Sequence, residues 1–477
     1  MGKQFKNDAI TSRDVDFAQW YTDVCRKAEL MDYASVKGFI IYKPYGYAIW
    51  ENIQNYLNKR FKDTGHENVY FPMVIPETLF NKEKDHVEGF APETLIATIG
   101  GKNKLEDRLI VRPTSEVLFC DYYAKNITSY RDLPKLYNQW CSVVRWEKTT
   151  RPFLRGSEFL WQEGHTMHAN EKEARKETLA MLDIYGDLGA NFLAIPFVKG
   201  RKTDKEKFAG AEETYSIEAL MYDGKALQSG TTHYFGTGFC EAFGISFQDK
   251  DMIVKHPHQT SWGVSTRLIG AIIMVHGDDN GLILPPYVAP IQVVIIPIRN
   301  EEKLVQKTTK SIKTELEKQS LRVTIDDSDR SPGWKFSEYE MKGVPLRIEV
   351  GPRDLENDEV TIAIRATVVK EKVKVADVSI FIKAIIPVIH QTMLARAQRN
   401  IDDNMENAKT MADIGRRVNK GGYARVCWCG DESCESKVKE EFNATARCLP
   451  FNQELFNDTC PICGRKANKL VLFAKAY

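Results

Sequence analysis

Residues Val143–Met167 read VVRWEKTTRPFLRGSEFLWQEGHTM. Two runs of alternating side chains flank a charged loop that contains Pro152 and Gly156. Successive side chains of a strand point to opposite faces. Arg145 and Glu147 therefore share a face of the first predicted strand. On the return strand Phe159, Trp161, Glu163 and His165 share a face, with Leu160, Gln162 and Gly164 on the other. Such a hairpin lines one surface with a guanidinium, carboxylates, an imidazole and aromatic rings. A half-buried structural strand places apolar groups there, because burying unpaired charge is costly. The pattern favours a chemical surface over an ion-paired strand face that carries no ligand.

A chain of 477 residues exceeds one ordinary core and implies about two to four domains. Its 43% hydrophobic and 27% charged residues are those of a globular protein. No uninterrupted apolar run approaches the roughly 18 residues of a membrane span, and the N-terminus lacks the apolar core of a signal peptide. A cytoplasmic protein without a membrane partner is expected. The balance of 66 basic against 65 acidic residues carries no global nucleic-acid signature, so any such partner must be met by local basic patches. Six of the ten cysteines fall between Cys427 and Cys463, and in a reducing compartment clustering of this kind favours metal over disulfides.

Working outward, helical spacing is predicted over 16–35 and again through AIWENIQNYLNKRFKD (48–63), before a proline-bearing strand NVYFPMVIP (68–76). KDHVEGFAPE (84–93) holds an imidazole and acids and reads on composition as a solvated loop or a ligand segment. Arg112-Pro113-Thr114-Ser115-Glu116 lies between a short strand and a helix and, on residues alone, is also an ordinary helix start. A helix is expected over 171–189, then a basic loop from Lys199 to Lys207 ahead of Phe208. KALQSGTTHYFG (225–236) offers Gln228, Thr231 and His233, and a small-residue turn at 262–265 leads through Ser265 and Arg267 into an apolar helix. Beyond Pro285-Pro286, strands alternate with helices, which implies a small βαβ-type domain. There Trp334, Lys335, Arg347, Glu349 and Arg353 supply cations, an acceptor and an aromatic plane, suited either to splayed bases or to a charged strand edge. A helical stretch over about 376–418 precedes two cysteine pairs, Cys429-x4-Cys434 and Cys460-x2-Cys463. Four thiolates suit tetrahedral, structural Zn²⁺; Cys427 is an alternative to Cys429.

The order of these segments resembles the class II aminoacyl-tRNA synthetases, with motif 1 around 48–76, motif 2 around 140–167 and motif 3 around 258–286. PFLRGSEFLWQEGHT is similar to the prolyl-tRNA synthetases in particular, in the form shared by archaea, eukaryotes and some bacteria. The resemblance implies an α/β (α+β) protein. Its catalytic domain (1–285) would build an antiparallel sheet flanked by helices, followed by an anticodon-binding domain (286–395) and a C-terminal zinc-binding domain (396–477). It implies a homodimer that uses L-proline, ATP with Mg²⁺, and tRNA(Pro). Arg145 and Arg267 would be catalytic. Proline would be held by Thr114, Glu116, Arg145, Trp161, Glu163, His165, Phe208, His233 and Ser265. ATP would be held by Arg145, Glu147, Arg155, Phe159, Gln228, Thr231 and Arg267. Trp334, Lys335, Arg347, Glu349 and Arg353 would read the anticodon, and Cys429, Cys434, Cys460 and Cys463 would bind Zn²⁺. A terminal tyrosine, here Tyr477, would fold back toward the catalytic domain. Only about a hundred residues separate motifs 2 and 3, leaving no room for the inserted editing domain of many bacterial relatives. The weaker alternatives are a threonyl or seryl relative, or a non-catalytic tRNA-binding paralogue.

Overall fold

The computed structural model describes residues 10–82 and 94–477; the segment 84–93 lies outside them. Among the described residues, seven strands before Pro285 build the main sheet: β1 (Glu67–Val69), β2 (Lys135–Val144), β3 (Glu158–His168), β4 (Val198–Arg201), β5 (Glu213–Leu220), β6 (Ala226–Gly236) and β7 (His258–Ser265). Except for the parallel pair β1–β2, they run antiparallel in the order β4-β5-β6-β7-β3-β2-β1. The helices Pro44–Asp63, Glu171–Leu188 and Arg267–His276 supply the main core with the sheet.

Local chemistry accounts for these elements. Pro44 opens its helix where a missing N–H costs nothing, and Ile49, Trp50, Ile53, Leu57 and Phe61 recur on its buried face. Gly46 is required there, because a Cβ would stand 2.1 Å from the Leu30 carbonyl oxygen. Asn170 caps the helix Glu171–Leu188 by accepting from the Glu173 N–H at 3.0 Å. On β3, Gly164 faces Trp262 of β7 across the ladder, and the Trp262 indole packs on Phe61 at 4.9 Å.

Four sequence expectations change. The helix predicted over 16–35 ends at Lys27, because Glu29 turns the chain through φ +57°; Met31–Tyr33 then pairs with Ile40–Tyr42. The strand predicted over 68–76 is split into Glu67–Val69 and Val74–Pro76, which join different sheets. Trp262–Ser265 is strand rather than turn. The helical stretch over 376–418 is broken by a strand, Met405–Ala408, which pairs in parallel with Tyr423–Val426, and a Thr410–Asp413 capping box restarts the helix.

The second unit holds β8 (Val293–Pro297), β9 (Val323–Ile325), β10 (Leu346–Val350), β11 (Glu359–Ile364) and β12 (Val369–Lys374), in the order β9-β8-β10-β11-β12. β8 is parallel to both neighbours and the rest are antiparallel, which is the expected βαβ core with an added hairpin. The helix Val378–Asp403 is long and apolar enough by composition to cross a membrane. In the fold Ile382, Ile386, Ile389 and Met393 pack it into this unit's core.

The last unit carries β13 (Met405–Ala408), β14 (Tyr423–Trp428), β15 (Thr445–Pro450) and β16 (Lys469–Ala474). It does not stand apart. β15 pairs with β4, so that among the described residues eleven strands form one sheet, β13-β14-β16-β15-β4-β5-β6-β7-β3-β2-β1. Tyr477 folds back as the resemblance implies: its hydroxyl donates to Asp223 at 2.5 Å and its backbone N–H donates to the Ala226 carbonyl at 3.2 Å.

Candidate functional site

A cavity of about 220 Å³ opens on the sheet face that carries Phe159, Trp161, Glu163 and His165. Period two along β3 brings these four together, and the neighbouring strands β6 and β7 add Gln228, Thr231, His233 and Ser265. Thr114 and Glu116 reach it from the start of the helix Glu116–Asn126, Phe208 from the loop between β4 and β5, and Arg267 from the start of its helix. Arg145 lies just beyond the end of β2, held by its N–H to the Ser157 carbonyl at 2.9 Å. The strand therefore stops short of the expected Arg145–Glu147 alternation. Glu147 instead pairs with Arg155 at 3.6 Å, outside this cavity's lining. Arg155 lines a neighbouring hollow of about 290 Å³ that shares Phe159 with the first.

Two buried carboxylates serve different ends. Glu163 accepts from Gln139 Nε2 at 2.8 Å, from the Ser115 N–H and hydroxyl, and from His165 Nε2 at 2.9 Å. Burial opposes its charge, yet hydrogen bonds from His165, Ser115 and Gln139 hold Glu163 below the usual carboxylate range. Burial likewise opposes charge on His165, and the Glu163 and Glu116 carboxylates raise it above the usual imidazole value. The two form an ion pair at the cavity's base. Glu116 accepts from the Thr114 hydroxyl and, at 3.3 Å, from Ser261. His233 is held down to about 3 by burial, then by His165 and Arg145. It is neutral, and its Nδ1 lies 2.9 Å from the Thr214 hydroxyl.

Backbone carbonyls help to orient Arg145 and Arg267. Arg145 Nε donates to the Pro113 carbonyl at 3.0 Å, and its guanidinium lies 5.5 Å from the ring centroids of both Phe159 and Trp161. Arg267 donates to the Leu154 and Gln228 carbonyls at 3.0 and 3.1 Å. Burial, then the nearby Arg145 and Arg155, lower Arg267 to about 10. The cavity thus joins a cationic rim, aromatic walls and a carboxylate-lined floor, an arrangement that can hold a zwitterion against an anion and a flat ring.

Sequence reasoning missed Ser115, Gln139, Glu206, Thr214 and Ser261. Two had a signal: Ser261 stands two alternations before Ser265 on β7, and Gln139 three before Arg145 along β2.

In the second unit Arg347 and Glu349 form a buried pair at 3.0 Å, joined by Lys370 at 2.8 Å. Lys335 is also buried, its ammonium donating to the Asp326 and Ser328 carbonyls at 2.9 and 2.8 Å. Its charge holds a loop together. Trp334 is exposed, with Arg330 stacked 4.4 Å from its ring, and Arg353 is exposed on the next short helix. In the last unit the sulfurs of Cys429, Cys434, Cys460 and Cys463 lie within 4.8 Å of one another, a group that could hold a metal ion. Arg465 donates to Cys463 Sγ at 3.3 Å, which lowers that thiol to about 6. Cys427 is buried apart from them, beside Ala467 and Leu470.

Three family descriptions match the chain: the tRNA synthetase class II core domain (G, H, P, S and T) over residues 98–276, an anticodon binding domain over 292–385, and the prolyl-tRNA synthetase C-terminal domain over 411–477. A proline–tRNA ligase of Lachnospira eligens is 57% identical over 471 residues, covering 98% of each chain. One from Clostridium novyi matches to the same extent, and one from Oceanobacillus iheyensis is 56% identical over 479 residues, covering 100% of each chain. With relatives of this similarity aligned from end to end, the chain belongs to the proline–tRNA ligase family of class II aminoacyl-tRNA synthetases.

Proposed function

We propose that the cavity on β3, β6 and β7 binds proline and MgATP side by side, forms prolyl-adenylate and pyrophosphate, and passes the prolyl group to the 3′ end of tRNA(Pro). The observation that carries this reading is the convergence of Arg145, Arg267, Glu116 and Thr114 on one aromatic-walled hollow. In the first step a carboxylate oxygen of proline attacks the α-phosphorus and the bond to pyrophosphate breaks. A carboxylate is already a nucleophile, so the step calls for positioning and for cations at the developing charge rather than for a base. Arg145 holds the proline carboxylate in line and meets the α-phosphate. Arg267 and Phe159 sandwich adenine, and Arg267 and Arg155, the latter steadied by its ion pair with Glu147 at 3.6 Å, meet the triphosphate. Glu116 and Thr114 hold the secondary ammonium, while Trp161, His165, Phe208 and His233 wall the ring. Glu163 acts through His165, since hydrogen bonds from Ser115, Gln139 and His165 occupy both its oxygens.

The other units fit the same reading. The Arg347, Glu349 and Lys370 cluster with Trp334 and Arg353 suits the anticodon bases. The four thiolates suit Zn²⁺: a tetrahedron with bonds of about 2.3 Å has edges of about 3.8 Å, against Cys429–Cys434 and Cys429–Cys463 separations of 3.7 and 3.6 Å. Zn²⁺ there would supply cross-linking only, with Arg465 balancing thiolate charge. A homodimer in the cytoplasm, with catalytic, anticodon and zinc units divided near 285 and 395, completes the proposal. The ring pocket discriminates small competitors by only about 1–3 kcal/mol, so misacylation with cysteine or alanine is expected.

Replacing Arg145 with Ala tests the assignment. Removing one oriented donor costs about a hundredfold or more, so proline-dependent ATP–pyrophosphate exchange should collapse; near-normal exchange refutes the role. The same assay with threonine and serine separates the alternatives.

A further inference from the structure

We propose that the C-terminal unit shapes the amino-acid pocket, with Glu435 a positioning residue that acts through Thr203 on Glu206 and Phe208. This rests on the reading of the cavity as the proline site.

The segment between β4 and β5, residues 202–212, carries Glu206 and Phe208 into the cavity lining. Its second half is tied to the catalytic unit: the Phe208 N–H donates to the Thr214 hydroxyl at 3.0 Å. The first half is tied across the unit boundary. Thr203 Oγ1 donates to Glu435 Oε1 at 2.8 Å, both residues being buried. Lys205 Nζ donates to the Ser436 hydroxyl at 2.6 Å. Lys202 Nζ donates to the Arg447 carbonyl at 2.7 Å and to Glu218 at 2.9 Å, and Arg447 donates to the other Glu218 oxygen at 2.9 Å.

The backbone ladder here is short, with only Leu449 opposite Arg201 and Pro450 opposite Gly200. Two pairs specify register weakly. The fully buried Glu218, bridging Lys202 of one unit and Arg447 of the other, is the kind of ionic group that fixes register rather than adding stability. Cys434 directly precedes Glu435 on the helix Glu432–Phe442. Whatever holds the thiol cluster therefore also fixes where Glu435 and Ser436 stand. One continuous path runs from the cysteines through this helix start to Thr203 and on to Phe208, which packs 4.6 Å from the His233 ring.

The test uses the full chain carrying Glu435→Ala, with calorimetric proline binding and proline-dependent ATP–pyrophosphate exchange as readouts. Losing this one hydrogen bond should raise the proline Kd and KM about five- to tenfold. The ATP KM and the rate at saturating proline should stay within about twofold, and Glu435→Gln, which keeps the accepting oxygen, should restore proline affinity. Thr203→Val deletes the same bond from the loop side and replaces Glu435→Ala should that variant not fold. An unchanged proline Kd in a folded variant, or equal rises in the proline and ATP KM, overturns the inference. Absence of proline-dependent exchange in the unaltered chain would instead overturn the function proposed for the cavity.

Discussion

Glu116→Gln isolates the group assigned to proline's nitrogen. Glu116 is 3% exposed and accepts from the Thr114 hydroxyl and, at 3.3 Å, from Ser261. Glutamine has nearly the same shape, and hydroxyls rotate to suit an oxygen or an amide, so the fold should persist. What disappears is the negative charge proposed to face proline's secondary ammonium. Truncating one partner of a buried charge pair costs roughly 2–5 kcal/mol. Glutamine keeps one acceptor, which places the loss near the lower end, about 2–3 kcal/mol, or about thirty- to 150-fold. Proline carries its ammonium in the ground state and in the transition state alike. The loss should therefore appear in the proline KM, with the rate at saturating proline and the ATP KM nearly unchanged. The assay is ATP–pyrophosphate exchange with proline and ATP varied separately, alongside thermal unfolding. A proline KM within about threefold of the unaltered chain's, with the fold intact, refutes the ammonium assignment.

Gly164→Ala should cost roughly 1–3 kcal/mol through overpacking, because its Cβ would stand 2.2 Å from the Trp262 ring; an unfolding midpoint equal to the unaltered chain's would count against that packing. Removing the Zn²⁺ proposed for the thiol cluster should lower the melting temperature while exchange at saturating proline and 25 °C survives, since a closed thiolate site is structural; lost exchange in a still-folded protein would contradict this. The Glu163–His165 pair sets a pH window. His165, raised in the fold, stabilises fully below its ordinary 6.5, and that part fades as pH rises through the raised value. Glu163, lowered in the fold, stabilises above its ordinary 4.5, and that part fades as pH falls through the lowered value. Chemical unfolding of the chain and of a Glu163→Gln/His165→Asn double variant should differ most between these limits, and a pH-independent difference would show the pair to be uncharged.

Where one residue's environment was set by its near neighbours, the sequence was enough to read it. Period two put Phe159, Trp161, Glu163 and His165 on one face, and they line one cavity. The same rule, applied to β2 and β7, would have reached Gln139 and Ser261. Local pattern failed where distant chain decides. Lys335 failed for a nearer reason: the backbone carbonyls of Asp326 and Ser328, nine and seven residues earlier, consume its ammonium, and no side-chain pattern marks a carbonyl as a partner. Helical spacing ran unbroken in prediction to 418, but pairing with Tyr423–Val426 draws 405–408 into a strand. The junction of β4 with β15 joins segments about 250 residues apart, and neither carries a mark that selects the other. The C-terminal unit could be recognised by its cysteines, but not its place in the catalytic sheet.

The electrostatics of Arg267 explain why such a site is visible before any ligand enters it. A half-buried structural arginine would be expected to face a carboxylate, which offsets the cost of desolvating its charge. Arg267 instead donates to two backbone carbonyls, which aim the guanidinium without neutralising it. Burial and the proximity of Arg145 and Arg155 lower it to about 10, so the fold holds a charge that its surroundings disfavour. The opposite holds at Glu163, whose hydrogen-bond partners all lie within the protein and whose charge is favoured. A favoured charge at Glu163 beside a disfavoured one at Arg267 is the asymmetry expected of a site that recruits an anion. In the proposed reaction the triphosphate would supply the opposing charge at Arg267, whose guanidinium is already aimed before the substrate arrives.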